Sequence, residues 1–134
     1  MSRRLARENA FKLIFEIPFY GFDRAIERVD FNYEINQEKS LSDSGKEYVK
    51  NVVKSCFDNI NIIDNKISGS LKNWKIERLS KVDLAILRLS AAEIMYVDDV
   101  PYKVSVNEAV EIAKKFGDDQ SPSFVNGVLS RFDN

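Results

Sequence analysis

The start of the chain combines basic and aromatic side chains at helical spacing. At roughly 100° per residue, four of them fall on one arc of a predicted first helix: Arg4, Arg7, Phe11 and Phe15. Arg3 lies beside this arc at the end of the helix. Guanidinium groups bind phosphates and flat rings stack on unpaired bases, which is how proteins commonly hold single-stranded RNA. The pattern is therefore typical of an RNA-binding surface.

The same residues also permit a purely structural interpretation. Phe11 and Phe15 can pack against another helix, and arginines near a helix start can simply be solvated. A separate set forms the predicted core face of this helix: Ala6, Ala10, Leu13, Ile14 and Ile17. The pattern alone leaves RNA binding and core packing open for the two phenylalanines.

A second candidate segment lies near the end of the chain. The basic pair Lys114 and Lys115 precedes Gly117, and Ser121-Pro122 is typical of a helix start with Ser as the cap. Free N–H groups at a helix start can bind a phosphate. The other apolar side chains of this segment are predicted to close the core: Phe116, Val125, Val128 and Leu129.

Charge and composition restrict the classes of function. The chain has 20 basic and 21 acidic residues, for a net charge of −1, but residues 1–12 carry four basic side chains and one acidic one. A local basic patch on a mildly acidic protein suits a restricted site for a polyanion. With no histidine and only Cys56, the chain cannot form the usual zinc sites, a Ser–His–Asp triad or a Cys–His pair. We therefore expect no catalytic centre, no metal and no cofactor.

Apolar residues recur at intervals of three and four almost throughout, which predicts an all-α fold of about seven helices. We expect two packed helical subdomains around a shared core, within one domain over residues 1–134. The predicted helices span residues 4–17 (ended by Pro18), 22–35, a stretch that begins after Ser42 or Ser44, 62–71, 80–95, and two shorter segments in the last third. Cys56 is predicted to be a buried small hydrophobe.

Several helix ends carry recognisable cap signals. The Ser80 and Asp83 pair has capping-box spacing and opens the helix that is predicted to be central to the second half of the chain. Ser105 and Glu108 repeat this spacing in the last third of the chain, after Pro101. Gly117 is predicted to end that helix in a left-handed conformation.

The last third, residues 99–109 (DVPYKVSVNEA), 113–117 (AKKFG) and 123–129 (SFVNGVL), together with residues 3–8 (RRLARE), resembles the NusB family of bacterial transcription antitermination factors. The likeness covers essentially the whole chain. It implies a NusB-like fold and binding of boxA-type single-stranded RNA together with NusE, a small-subunit ribosomal protein. It further implies assembly with other Nus factors and RNA polymerase. Independently of the resemblance, the single cysteine and a start unlike a secretory signal predict a reducing cytoplasm.

The resemblance assigns residues to two surfaces. Together with the side-chain chemistry above, it gives a predicted RNA-binding set of Arg3, Arg4, Arg7, Phe15, Lys115, Gln120, Ser121 and Phe124. The partner surface in the family implies Glu77, Asp83, Tyr102 and Lys103 as contacts with NusE. Asp83 can equally serve only as part of the cap at Ser80.

Two alternative functions remain open. Similar domains precede the catalytic domain of some ribosomal RNA cytosine methyltransferases, although we expect no such domain after this sequence. A helical protein-interaction scaffold without RNA binding is the second alternative. The absence of a long apolar run predicts that the chain does not span a membrane.

Overall fold

The computed structural model describes residues 3–20, 23 and 41–132. Within these residues there are six α-helices, one short 3-10 helix and no strand: α1 (Arg3–Tyr20), α2 (Asp43–Asp58), α3 (Ile60–Ser70), the 3-10 helix (Ile76–Arg78), α4 (Lys81–Tyr96), α5 (Tyr102–Phe116) and α6 (Ser121–Leu129). The all-α prediction is confirmed. The helix predicted over residues 22–35 lies outside the described residues.

Helix α4, predicted to be central to the second half of the chain, is central to both halves, because it packs against all five other described helices. Its own sequence explains the position, since apolar and small side chains surround it on most sides: Ala85, Ile86, Leu87, Leu89, Ala91 and Ala92 are buried. Helix α1 pairs closely with α2, and α5 pairs closely with α6. The two pairs share α4, so the core is continuous across both halves, as the predicted architecture requires.

Serine caps begin two of the helices as expected. Ser80 Oγ accepts a hydrogen bond from the Asp83 amide at 3.0 Å, and this bond fixes the first turn of α4. For α2 the cap is Ser42, whose Oγ accepts from the Gly45 amide at 3.1 Å, and Ser44 is already inside the helix.

Two predicted helix ends are wrong. Helix α1 continues through Pro18 to Tyr20 instead of stopping before the proline. Helix α5 begins at Tyr102, because the carbonyl of Pro101 already accepts from the amides of both Val104 and Ser105. Ser105 therefore lies one turn inside the helix, where its hydroxyl donates to a partner on α4 instead of forming a capping box.

Gly117 ends α5, but not in the left-handed conformation that the sequence predicts. Its φ is −92°, which any residue can adopt. Glycine is needed for space, since a Cβ atom here would lie 2.4 Å from Ser121 Oγ and 2.9 Å from the Ala113 carbonyl oxygen. Close contact between the end of α5 and the start of α6 therefore explains the residue.

Cys56 lies on the buried face of α2 with Val49, Val52 and Val53. Burial raises the pKa of its thiol to about 12. The predicted burial of Cys56 is confirmed. No described helix is long and apolar enough to cross a membrane.

Candidate nucleic-acid interface

Two interhelical ion pairs with exposed cations join the start of α1 to α5. The Arg4 guanidinium donates to both carboxylate oxygens of Glu108, from Nε at 2.9 Å and from Nη2 at 2.7 Å. One helical turn further along α1, Glu8 accepts from Lys115 Nζ at 2.9 Å. These pairs bring the basic start of α1 beside the basic end of α5, and two separate predicted patches thus become one surface.

The cations in these pairs lie outside the carboxylates. The Arg4 side chain is 56% exposed and its partner Glu108 is 14% exposed. Lys115 is 59% exposed and its partner Glu8 is 16% exposed. The hydrogen bonds from Arg4 lower the pKa of the Glu108 carboxyl despite its partial burial, so this carboxylate stays ionised beneath the guanidinium. The outermost charged groups of the pairs are positive.

Further basic side chains extend this surface. Lys114 Nζ lies 3.1 Å from Glu111 on the same helix. Lys12 projects from α1 with its ammonium group 5.5 Å from the centroid of the Phe116 ring. Lys12 is exposed, and among the described residues no carboxylate pairs with it. We call Arg4, Lys12, Lys114 and Lys115 the α1–α5 surface.

The phenylalanines of α1 divide between core and surface. Phe11 is buried, with its ring centroid 5.2 Å from that of Phe116, so the core interpretation of Phe11 is confirmed. Phe15 is half-buried at 6.4 Å from Phe11 and packs at the edge of the core. Phe124, in the first turn of α6, is also half-buried. Phe15 and Phe124 thus keep some exposure to solvent.

Arg7 does not lie on the solvent-facing arc that the helical spacing predicts. Its side chain is 6% exposed, and Nε donates to Glu93 Oε2 of α4 at 2.8 Å. The turn of α1 that carries Arg7 faces both α2 and α4, so it is covered on two sides. A helical wheel drawn for α1 alone does not show this. The Arg7 guanidinium is therefore committed to the interior, and we do not retain it among the RNA contacts.

Arg3 faces a different part of the molecule from Arg4. Its guanidinium lies 4.5 Å from the centroid of the Tyr48 ring on α2, and 3.8 Å from Asp99 in the loop before α5. The side chain is 38% exposed, so it remains accessible beside the α1–α5 surface.

The start of α6 is already occupied by a side chain of the protein. Asp118 Oδ1 accepts from the amides of Gln120 and Ser121 at 2.9 and 3.0 Å. Ser121 is the first helical residue and not the cap, and its buried hydroxyl is bonded to Asp118. A phosphate at these amides would have to displace the Asp118 carboxylate, so the amides are not free as the sequence predicts. Gln120 is exposed.

The predicted partner contacts form two groups and not one. Glu77 is exposed in the 3-10 helix, and Asp83 is half-buried in the first turn of α4. Tyr102 and Lys103 begin α5. Ser105, in the first turns of α5, donates a hydrogen bond to Glu93 of α4. Glu93 lies ten residues after Asp83, so the two groups are separated by about 15 Å along the axis of α4. Such a separation fits within the footprint of a protein partner.

Sequence reasoning missed the carboxylates that organise this region. Glu93 and Glu108 lie 86 and 104 residues from their arginine partners, and no local pattern reports such a separation. Among the described residues, no group of three or more Asp, Glu, Cys or His side chains could hold a metal ion.

Comparison with known proteins identifies the family of this chain. The NusB family model matches residues 4–134. A transcription antitermination protein NusB from Clostridium botulinum is 46% identical over 141 residues, covering 98% of this chain and 99% of that protein. NusB from T. maritima superposes with a TM-score of 0.81 at 35% identity, covering 98% of this chain and 90% of that one. A crystal structure of antitermination factors NusB and NusE with double-stranded RNA gives 0.79 at 28% identity, over 97% and 94%. The chain, matched along nearly its full length in sequence and in fold, belongs to the NusB family.

Proposed function

We propose that this chain is a transcription antitermination factor. It binds boxA-type single-stranded RNA together with the ribosomal protein NusE, and the complex joins elongating RNA polymerase in the cytoplasm. Membership of the NusB family over residues 4–134 supports the class of function. The relative that was crystallised with NusE and RNA supports the two kinds of partner.

The observation that carries the RNA-binding part is the layering of charge on the α1–α5 surface. Arg4 and Lys115 are exposed, whereas Glu108 and Glu8 lie beneath them. Phosphates can approach the outer cations while the inner carboxylates hold the cations in place. The pairing with internal carboxylates fixes the position of the basic groups and lowers the positive potential of the surface. A weaker, fixed potential favours a restricted site over general coating of nucleic acid.

Aromatic rings complete the chemistry of the surface. Phe116 lies under the ammonium groups of Lys12 and Lys115, each 5.5 Å from the ring centroid. Phe15 and Phe124 offer partly exposed rings on which an unpaired base can stack. Gln120 and Lys114 are exposed and can add polar contacts, and Arg3 supplies a further cation on the side of α1 that faces α2. The Ser121 hydroxyl acts indirectly, because it holds the turn before α6.

The proposed mechanism is assembly and not catalysis. The partner surface would be formed by Glu77 and Asp83 at one end of α4 and by Tyr102 and Lys103 at the other. Binding of NusE there leaves the α1–α5 surface available, so both ligands can be held at once. Simultaneous binding of RNA and NusE favours an adaptor over the scaffold without RNA binding and over a methyltransferase-associated module.

The direct test is a titration of labelled boxA-type RNA with the full chain, alone and with NusE, at several salt concentrations. We expect saturable binding that strengthens when NusE is present. Replacing Lys12 or Lys114 by Ala should each remove about one phosphate contact and lower the single-strand salt slope by about 0.7.

A matched control is Lys54→Ala, which removes an exposed lysine that pairs with Asp58 on α2. This variant should bind RNA with the affinity and salt slope of the parent chain. If the α1–α5 variants are indistinguishable from Lys54→Ala, the surface is not the RNA site. Failure of the parent chain to bind RNA at low salt, with or without NusE, would favour the scaffold.

A further inference from the structure

The segment that leads from α3 into the first residue of α4 carries as much positive charge as the start of the chain. Residues 72–81 contain four basic side chains and one acidic one, the same numbers as residues 1–12. Lys72, Lys75 and Arg78 are all exposed. We call these three residues together with Trp74 the connector surface.

The cations of the connector surface differ from those of the α1–α5 surface in one respect. Within the part of the chain that the structure describes, Lys72, Lys75 and Arg78 have no carboxylate partner. Arg4 and Lys115, in contrast, each lie on an internal carboxylate. A phosphate could therefore bind the connector without competing with a carboxylate of the protein.

Trp74 is the single tryptophan of the chain, and it is 57% exposed. It follows Asn73, whose φ of 66° places a left-handed bend directly before it, and it precedes Lys75 in extended backbone. Asparagine tolerates this backbone region better than most residues. An indole ring that stays in water between two lysines combines a stacking platform with groups that bind phosphate.

The neighbouring end of α6 adds to the positive charge of this region. Arg131 Nη1 donates to the carbonyl oxygen of Ser70, the last residue of α3, at 2.5 Å. This bond places a cation at the negative end of the α3 dipole, which would otherwise repel an anion. Lys66 lies on the same end of α3, with its ammonium group 5.6 Å from the centroid of the Phe132 ring.

We propose that the connector surface binds single-stranded RNA, with one base stacked on Trp74 and adjacent phosphates held by Lys72 and Lys75. The ligand class rests on the proposed function, and the site is additional to the α1–α5 surface. Unpaired positive charge around an exposed ring favours a nucleic acid over an apolar protein partner.

The chain supplies its own probe for the test. Because Trp74 is the only tryptophan, the indole fluorescence of the full chain reports on the connector alone. A single-stranded RNA oligonucleotide with a terminal dye should be titrated while dye anisotropy and indole fluorescence are recorded together. We expect RNA to quench the fluorescence saturably, and added salt to weaken the quenching.

Variants separate stacking from charge. Trp74→Ala should weaken RNA binding roughly 5- to 100-fold, whereas Trp74→Phe should retain most of the affinity because the phenyl ring still stacks. The double change Lys72→Ala with Lys75→Ala should lower the salt slope by about 1.4, at 0.7 for each phosphate contact. Phe57→Ala and Lys54→Ala, which alter an exposed ring and an exposed lysine on α2, are the matched controls and should bind as the parent does.

The two readouts distinguish failure of this inference from failure of the proposed function. If anisotropy reports RNA binding while the indole signal is constant and Trp74→Ala binds like the parent, the connector does not contact RNA and the inference is overturned. If anisotropy is constant even at low salt with NusE present, the proposed function itself fails. A fluorescence change produced by NusE but not by RNA would assign the connector to the protein partner and would also overturn the inference.

Discussion

Arg7 and Glu93, which are 86 residues apart in the chain, form a buried ion pair that ties α1 to the central helix. The distance from Nε to Oε2 is 2.8 Å, and the side chains are 6% and 2% exposed. Glu93 also accepts hydrogen bonds from the hydroxyls of Tyr48 on α2 and Ser105 on α5. One carboxylate therefore connects four helices, and its position fixes how α1 presents Arg4 and Lys12 to solvent.

This network leads to the first prediction. Arg7→Ala should lower the free energy of unfolding by about 3–5 kcal/mol, because it leaves a buried carboxylate without its charge partner. Urea denaturation measures the change. Arg4→Ala, which removes a guanidinium that is 56% exposed, is the control and should lower the free energy of unfolding by much less than Arg7→Ala does. Equal stabilities of the two variants would contradict a structural role for Arg7.

A second prediction concerns pH. The hydrogen bonds from Arg4 lower the pKa of Glu108 below its usual value of 4.5, so the ionised carboxylate stabilises the folded state above that pH. This stabilisation should be lost as the pH falls through the lowered pKa of the folded state. Urea unfolding of the parent and of Glu108→Gln, followed between about pH 3 and 7, should show a difference in stability that shrinks on the acid side.

Glu77→Gln serves as the control for the pH experiment, since this carboxyl is exposed in the 3-10 helix. Its stability should follow that of the parent chain across the range. A constant difference between the parent and Glu108→Gln at every pH would mean that the ion pair with Arg4 does not form in solution.

The third prediction tests the contact between α5 and α6. Gly117→Ala should destabilise the fold by about 1–3 kcal/mol, because the added Cβ would overlap Ser121 Oγ and the Ala113 carbonyl. Gly127→Ala, within α6, meets open space and should instead gain about 0.5–1 kcal/mol from the higher helix propensity of alanine. Thermal unfolding of both variants gives the comparison, and a neutral Gly117→Ala would contradict the close approach.

Local patterns account for much of the fold. Periodicity at three and four residues predicts the helices, and Ser80 caps α4 as its spacing requires. The capping box at Ser105 fails because Pro101 already starts the helix, so the same local signal is overridden by an earlier one. Propensity thus predicts that a helix exists here but not which of two competing signals begins it.

The site was predictable only where it depends on exposed residues. Arg4 and Lys115 follow from the sequence because basic side chains near helix ends are usually accessible. The burial of Arg7 follows from the positions of α2 and α4, which lie far away in the chain. The residues around Trp74 have no helical periodicity, so a pattern of helical spacing does not reveal their positive charge.

A fourth prediction uses Cys56. Burial raises the pKa of its thiol to about 12, so little thiolate exists at neutral pH and the side chain is shielded from reagents. A chromogenic disulfide reagent should therefore react with the native protein far more slowly than with the chain in strong denaturant. Fast reaction of the native protein would mean that α2 opens locally near Cys56.

The last prediction concerns the partner surface at the start of α5. Tyr102 is half-buried, and its hydroxyl donates to the Leu129 carbonyl at the end of α6. Tyr102→Phe should lower the free energy of unfolding by about 0.5–1.5 kcal/mol through the lost hydrogen bond, yet keep the ring available to NusE. Tyr102→Ala should weaken NusE binding by roughly 1–2 kcal/mol, as expected for an aromatic interface contact.

Calorimetry with NusE and thermal unfolding of each variant separate the two roles of this tyrosine. Ile62→Ala, which shortens a 55% exposed side chain on α3, controls for a general loss of exposed apolar area. If the Phe and Ala variants both bind NusE as tightly as the parent chain while both are folded, Tyr102 does not contact the partner. The partner surface would then be confined to the other end of α4, around Glu77 and Asp83. Equal weakening by Phe and Ala would instead assign the contact to the hydroxyl, because the Phe variant retains the ring and lacks only that group.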